Sequence, residues 1–385
     1  ASGTGTPTGT GDTTSTGGVG GSGATSTGGT GGTGASGTGG QGAADPCEWT
    51  YRRRITFDNS GQAQDLSAFP VLITLDGASF DYAKAEPDGA DVRFRDDDDT
   101  VELAYHFERW DPAGASYLWV RVPTIDASST DDHVWMYYGR TGVADGQNEA
   151  GTYDDTHVAV LHLSETSGSH FDSTSGAGCV WQAGGSGSQD AAGQIAGAND
   201  FDGNEDAVSC SAGLVPDMDY HTVTAWVRMP LTGDTNQEVV CSESTASPYS
   251  GVGLYVHGNS GALGKWLNGT YRYSSQASSA VTANQWTFVA IRGYRNASAG
   301  YLEASTNGGP WERFFTGDTA NLTVPYGTPL IIGKWPGGGP DASARGIFDE
   351  IQIANEARSD EWIRAQYLST SDSFVTIGAE EPACP

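Results

Sequence analysis

The run from Arg345 to Tyr367, RGIFDEIQIANEARSDEWIRAQY, constrains the fold more than any other part of the chain. Ile347, Ile351 and Ile353 share one parity while Glu350 and Gln352 take the other, which is the period-2 pattern of a strand with one face on a core. Asn355 to Arg358 is a polar turn. Ser359 then stands as an N-cap, with Asp360 and Glu361 in the first helical turn, where the helix dipole favours negative charge. Ile363 and Tyr367 lie four apart with Trp362 beside them, which predicts a short helix packed through a narrow aromatic stripe.

The same alternation recurs upstream in short runs: Arg52 to Phe57, Phe69 to Leu75, Val92 to Phe94, Leu103 to Glu108, Tyr117 to Val122 and His133 to Tyr138. Turn chemistry separates them at Asn59-Ser60-Gly61, Asp76-Gly77, Pro87-Asp88-Gly89, the Asp96 to Asp99 run and Pro112 to Gly114. Strands at this spacing predict an antiparallel sandwich of about 100 residues. Thr141 to Tyr153 is a polar bridge, and a second set of strands opens near Val158. The expected fold is therefore all-β, two antiparallel β-sandwiches in series. Their expected extents are 47–142 and 154–381, behind a Gly/Thr/Ser-rich arm over 1–46.

Residues 1–44 are almost wholly Gly, Thr, Ser and Ala, with Val19 the only large apolar side chain. Such a segment cannot bury enough surface to offset its ordering entropy and is expected to be a linker. Its small residues also let extended backbones approach closely, so the arm is a candidate for self-assembly. The chain begins at Ala1, as a processed secretory protein would, and the absence of an N-terminal Cys gives no support to a lipid anchor at this end. With 19 basic and 48 acidic residues the net charge is −29, which removes nucleic acid and anionic membrane as partners, because phosphate binding needs a basic footprint. No apolar run reaches the roughly 18 residues of a membrane span, so no membrane insertion is expected. Five cysteines fit no metal spacing and read as disulfides of an oxidising compartment. Cys47 and Cys384 flank the folded region and are the candidate closing bridge; Cys179 and Cys210 are the candidate local pair, and Cys241 is left as a small buried residue.

The text Phe348, Asp349, Glu350, Ala357, Arg358, Ser359 and Trp362 resembles the ending of laminin-G-like, concanavalin A-like domains of secreted bacterial proteins. Asp172-Ser173-Thr174, Phe201-Asp202-Gly203, Val223 to Arg228 and Trp286 to Ala290 are similar to the same pattern, so the resemblance implies a concanavalin A-like jelly roll. In the first half, Trp49 to Arg54 (WTYRRR), Phe69-Pro70-Val71, Pro87 to Phe94 (PDGADVRF), Trp110-Asp111, Trp119-Val120 and Met136 to Gly139 resemble a bacterial extracellular domain of unknown function, type 2341. That second resemblance implies architecture and no activity.

Chemistry is less readable. Asp349 and Glu350 are adjacent and are expected on opposite strand faces, and the seven His form no HxH or HExxH spacing, so no catalytic site is expected. The Asp96 to Asp99 run reads as a solvated turn. The laminin-G resemblance implies Ca2+ held by Asp172, Asp202 and Asp349. Tyr249, Tyr255, Trp266, Tyr271, Tyr273 and Trp335 lie in the loop-rich middle of the second unit. Of these, Trp335, Trp266, Tyr271 and Tyr273 are the candidate sugar platform, Trp335 being the most exposed by its Gly-Lys-Trp-Pro-Gly setting. The expected function is a non-enzymatic extracellular structural protein of a bacterial surface, a fibre subunit assembling through residues 1–44. The alternatives are a carbohydrate-binding adhesin and an accessory module of a secreted enzyme.

Overall fold

The computed structural model describes residues 45–233, 235–244, 251–267, 273–295, 300–317, 328–337 and 343–384; the arm and Tyr249 lie outside them. In the first sandwich, Tyr51–Phe57 pairs with His133–Tyr138 on one side and with Val375–Pro382 on the other, Arg93–Arg95 closing a four-stranded sheet. The facing three-stranded sheet runs Leu66–Asp76, Ala115–Ile125, Tyr105–Arg109. Pro70 cannot donate to a ladder, and it is tolerated because Leu66–Asp76 is an edge strand. Alternate residues of the two sheets, among them Ile55, Phe57, Val71, Ile73, Phe94, Leu118, Val120 and Met136, form the core between them.

Val375–Pro382 differs from the sequence expectation. The sequence places residues 375–381 in the second sandwich, yet they complete the first sheet, from Tyr51↔Pro382 to Phe57↔Val375. The Cys47–Cys384 disulfide lies immediately beyond this pairing and joins its two outer ends. Both sandwiches fall within one compact unit spanning 43–385.

The second sandwich packs two eight-stranded sheets around Leu161, Phe201, Val223, Val227, Val240, Leu254, Val289, Phe348, Ile351 and Ile353, among others. One sheet carries Gly178–Gln182 beside Ala207–Ala212, where Cys179 sits directly opposite Cys210 and is bonded to it. Cys241 is buried in Asn236–Glu243 of the same sheet. The other sheet is built on Arg345–Ala354 and Tyr220–Arg228, with Thr287–Arg295 and Gly300–Thr306 following in order.

Asp360–Thr370 is the expected helix, with Ser359 Oγ accepting from Trp362 N at 3.1 Å. It is buried on more than a stripe: Trp362, Ile363, Ala365, Gln366, Ser369 and Thr370 are all covered. Trp362 meets Phe69 of the first sandwich edge-on at 4.8 Å, while Tyr367 meets Trp226 of the second at 5.8 Å. The helix is thus a wedge between the sandwiches, because both bodies present aromatic side chains to it.

Candidate functional site

On Tyr220–Arg228 the odd residues Val223, Ala225 and Val227 enter the core, so the even residues face outward. The antiparallel register then aligns side chains in rungs across three strands. One rung is Tyr220↔Tyr294↔Tyr301, with ring centroids 5.0 Å apart at each step. Tyr220 is 45% exposed, and the other two are half-buried. The next rung is Thr222↔Arg292↔Glu303↔Arg313. Here Glu303 pairs with Arg292 at 2.7 Å and with Arg313 at 2.8 Å, and the Arg313 guanidinium lies 4.0 Å over the Tyr301 ring. Arg295, of opposite parity to Tyr294, holds Asp217 and Asp219 at 2.7 and 2.8 Å at the strand ends, away from this face. Further along this face the helix takes over, Gln366 donating to Thr224. The open part of the face is therefore an aromatic row edged by charged hydrogen-bonding groups. Stacking on sugar C–H faces needs the first, and hydroxyl recognition needs the second.

A second constellation is buried at the junction of the sandwiches. Residues 345–348 pair with Gly197–Asp202, but residues 351–354 pair with His157–Leu161, so the closing strand changes partner at Asp349 and Glu350. The register to Tyr220–Arg228 slips at the same place, and Glu350 takes φ +54°. This β-bulge inverts the parity: Phe348 enters the core before it, and Ile351 and Ile353 enter after it. The expectation that Ile347 shares a face with Ile351 is corrected accordingly, and so is the expectation that Asp349 and Glu350 diverge. Both carboxylates turn toward the first sandwich. Asp349 Oδ2 accepts from Ile195 N at 2.9 Å, and Ile195 packs on Leu72 and Trp119. Glu350 Oε1 lies 2.6 Å from His162 Nδ1.

Glu108 reaches the same point from the first sandwich. It is the extra residue of another bulge, between Phe107 and Arg109, and its Oε2 lies 3.5 Å from His162 Nδ1 while accepting from Trp119 Nε1 at 3.0 Å. His162 Nε2 is 3.1 Å from both His106 Nε2 and Tyr153 OH. The side chains of Glu108, Glu350 and His162 are 1%, 2% and 8% exposed. Burial and the neighbouring Glu350 charge push the Glu108 carboxyl up to about 8. Burial works against the His162 imidazolium, but Glu350 and Glu108 outweigh it and raise the group to about 9. Asp349 is raised by burial and by both glutamates, and His106 is lowered by burial and by His162. A close carboxylate pair of this kind serves glycosidases where substrate reaches it. Here a glycosidic bond would have to pass two packed sandwiches to arrive.

Residues 88–184 match a domain of unknown function (DUF2341), and residues 202–364 match the concanavalin A-like lectin/glucanases superfamily. The chain carries these two domains in that order. The first match begins after the first two strands of the first sandwich and ends inside the second. No protein of curated function matches the sequence. Among solved structures, the binding domain of Paraclostridial Mosquitocidal Protein 1 is similar at TM-score 0.43 and 14% identity, over 56% of this chain and 52% of that one. Domain 4 of AbnA, a GH43 extracellular arabinanase from Geobacillus stearothermophilus in complex with arabinotriose, is similar at 0.41 and 20%, over 54% and 97%. The botulinum neurotoxin serotype D ligand binding domain in complex with N-acetylneuraminic acid is similar at 0.41 and 16%, over 57% and 52%. The chain thus spans about half the length of the two toxin domains.

Within the concanavalin A-like domain the expected calcium residues are not assembled as a group. Asp172 Oδ1 accepts from Val160 N and Thr174 N, and its Oδ2 accepts from the Thr174 and Ser175 hydroxyls, so it ties a turn to a strand. Asp202 accepts from Ser186 N, the Ser186 hydroxyl and Asn204 N in a different loop. Asp349 serves Ile195. Among the described residues, the group of His and carboxylate ligands whose atoms lie within 4.8 Å of one another is Glu108, His162 and Glu350. In the first sandwich, Asp96 closes its turn by accepting from Thr100 N and Val101 N, as a solvated hairpin tip does.

The expected sugar platform is only partly visible. Tyr271 lies outside the described residues, as do the side chains of Trp266 and Tyr273. Tyr255 is fully buried. Trp335 is half-buried, its ring lying where a side chain at Gly337 would have to go. The row Tyr220, Tyr294 and Tyr301 was missed. Parity places Tyr220 and Tyr294 on the outer face of their strands, but which strands neighbour one another is not written in local sequence.

Proposed function

We propose that this chain is a non-catalytic, extracellular glycan-binding protein that takes its ligand along Tyr220, Tyr294 and Tyr301. The observation that carries this reading is the solvent-facing tyrosine row beside the Arg313–Glu303–Arg292 rung, on a concanavalin A-like domain. Each sugar ring laid on the row would gain C–H/π contact, and Arg313, 51% exposed, offers a donor to hydroxyls. Two disulfides support an oxidising, extracellular setting. The fibre-subunit reading depends on residues 1–44, which lie outside the described residues.

A glycan array followed by calorimetry tests the proposal. Tyr220→Ala should leave the melting temperature within a degree or so, since an exposed side chain adds little to the core. It should weaken the best glycan roughly 2- to 10-fold, the range of one aromatic contact. No binder for the unmodified protein, or unchanged affinity in Tyr220→Ala, overturns it.

A further inference from the structure

Two carboxylates and an imidazole, delivered by three distant stretches of chain, converge where the sandwiches meet. Like charges this close and this buried must be compensated, by a proton or by a bound cation. We propose that Glu108, His162 and Glu350 bind a divalent transition-metal ion of the zinc or manganese class, which fastens the first sandwich to the second.

One donor atom from each of Glu108, His162 and Glu350 lies within 4.8 Å of the others. Around a tetrahedral ion with bonds of about 2.0–2.2 Å, donors stand about 3.3 Å apart. The Glu108–His162 spacing of 3.5 Å is already close to this, and the 2.6 Å Glu350–His162 contact opens slightly as a hydrogen bond is exchanged for metal bonds. A separate observation points to a ligand: Glu108 Oε1 is buried with no hydrogen-bond partner, on a side chain that is 1% exposed. A buried carboxylate oxygen left unmatched is costly, and an ion held through both oxygens of the Glu108 carboxylate relieves it.

The surroundings fit as well. With Nδ1 on the ion, His162 Nε2–H finds acceptors at 3.1 Å in Tyr153 OH and His106 Nε2, the outer contact that sets a ligating imidazole's tautomer. Trp119 orients the Glu108 carboxylate in the same way. Mixed nitrogen and oxygen donors suit zinc or manganese, whereas calcium prefers oxygen alone. Both glutamates stand in β-bulges, the local distortion that re-aims a side chain out of a regular sheet. Asp349, with its Oδ1 also buried and unmatched, stands next to Glu350 beside the site.

The test uses the full chain with its disulfides intact, unfolded in guanidinium with a chelator and refolded with Zn2+ or Co2+. One ion per chain should survive gel filtration, the Co2+ form should show visible d–d absorption, and melting should shift upward relative to the chelated protein. Glu108→Gln and His162→Gln should each weaken the ion at least about tenfold. Asp97→Asn, on the exposed acidic turn, should leave binding unchanged. Cooperative refolding with no retained ion overturns the proposal, as does equal retention by Glu108→Gln. If the variants do not refold, X-ray absorption of the Zn-loaded unmodified protein decides: imidazole with oxygen supports the site, and a sulfur or oxygen-only shell overturns it.

Discussion

Arg358 sits 5% exposed between the closing turn and the segment that leads into the second sandwich. It donates to Asp154, Thr156 and Glu356, and its guanidinium lies 3.7 Å over Trp362. Truncating it leaves the Asp154 carboxylate without its cation, so Arg358→Ala should cost about 3–5 kcal/mol in denaturant unfolding. Lys should recover only part of this, because an ammonium cannot serve several acceptors and the indole in one plane. The pair also sets an acid limit. Burial raises the Asp154 pKa, but the His157 hydrogen bond and the Arg358 charge outweigh it, so the folded value lies below the ordinary 3.8. A depressed carboxyl stabilises the fold above its unfolded pKa and loses that contribution as pH falls. Stability should therefore drop from about pH 4 downward, and the drop should be shallower in Arg358→Ala, read as unfolding free energy against pH.

Among the elements, the wedge helix makes the clearest claim. Because Trp362 is 8% exposed and rests on Phe69 while its neighbours face Trp226, Trp362→Ala removes packing from both bodies at once. A loss of about 3–5 kcal/mol is expected, with a single calorimetric transition moving down as one. Two separated transitions in the unmodified protein would contradict the shared core. Ser359→Ala removes only the N-cap bond to Trp362 N and should cost about 1 kcal/mol. The bulge at Glu350 belongs to this scale as well: a non-glycine residue at φ +54° is an unusual conformation, and the strand spends it on turning two carboxylates to one side.

For the whole molecule, the last strand decides how the chain closes. Val375–Pro382 pairs with Tyr51–Phe57, and Cys47–Cys384 locks the ends across 337 residues of sequence. A loop of that length restricts the unfolded chain strongly, by about 5–6 kcal/mol in the chain-entropy model. Cys47→Ser with Cys384→Ser should lower the denaturation midpoint accordingly without abolishing the fold. Removing 375–385 is more severe, because it strips one of the two ladders from Tyr51–Phe57. Limited proteolysis should then cut within 50–140 while residues of the second sandwich stay protected.

Most strand positions between 51 and 138, the turn clusters between them, the closing strand and the helix behind Ser359 were legible in the sequence, because alternation, turn residues and caps are local properties of the chain; most strands of the second sandwich were not. The two cysteine pairs could also be proposed, one from its flanking position and one from its place at strand ends. Local pattern could not show that residues 375–382 return to the first sheet, since strand partners are chosen by packing across the whole molecule. It could not show the parity inversion at Glu350, because a bulge is set by neighbours whose register slips and not by the strand's own residues. The Tyr220, Tyr294 and Tyr301 row and the Glu108, His162 and Glu350 cluster each gather three distant positions. Only tertiary structure, by fixing which strands lie side by side and which sandwich faces which, brings their side chains together.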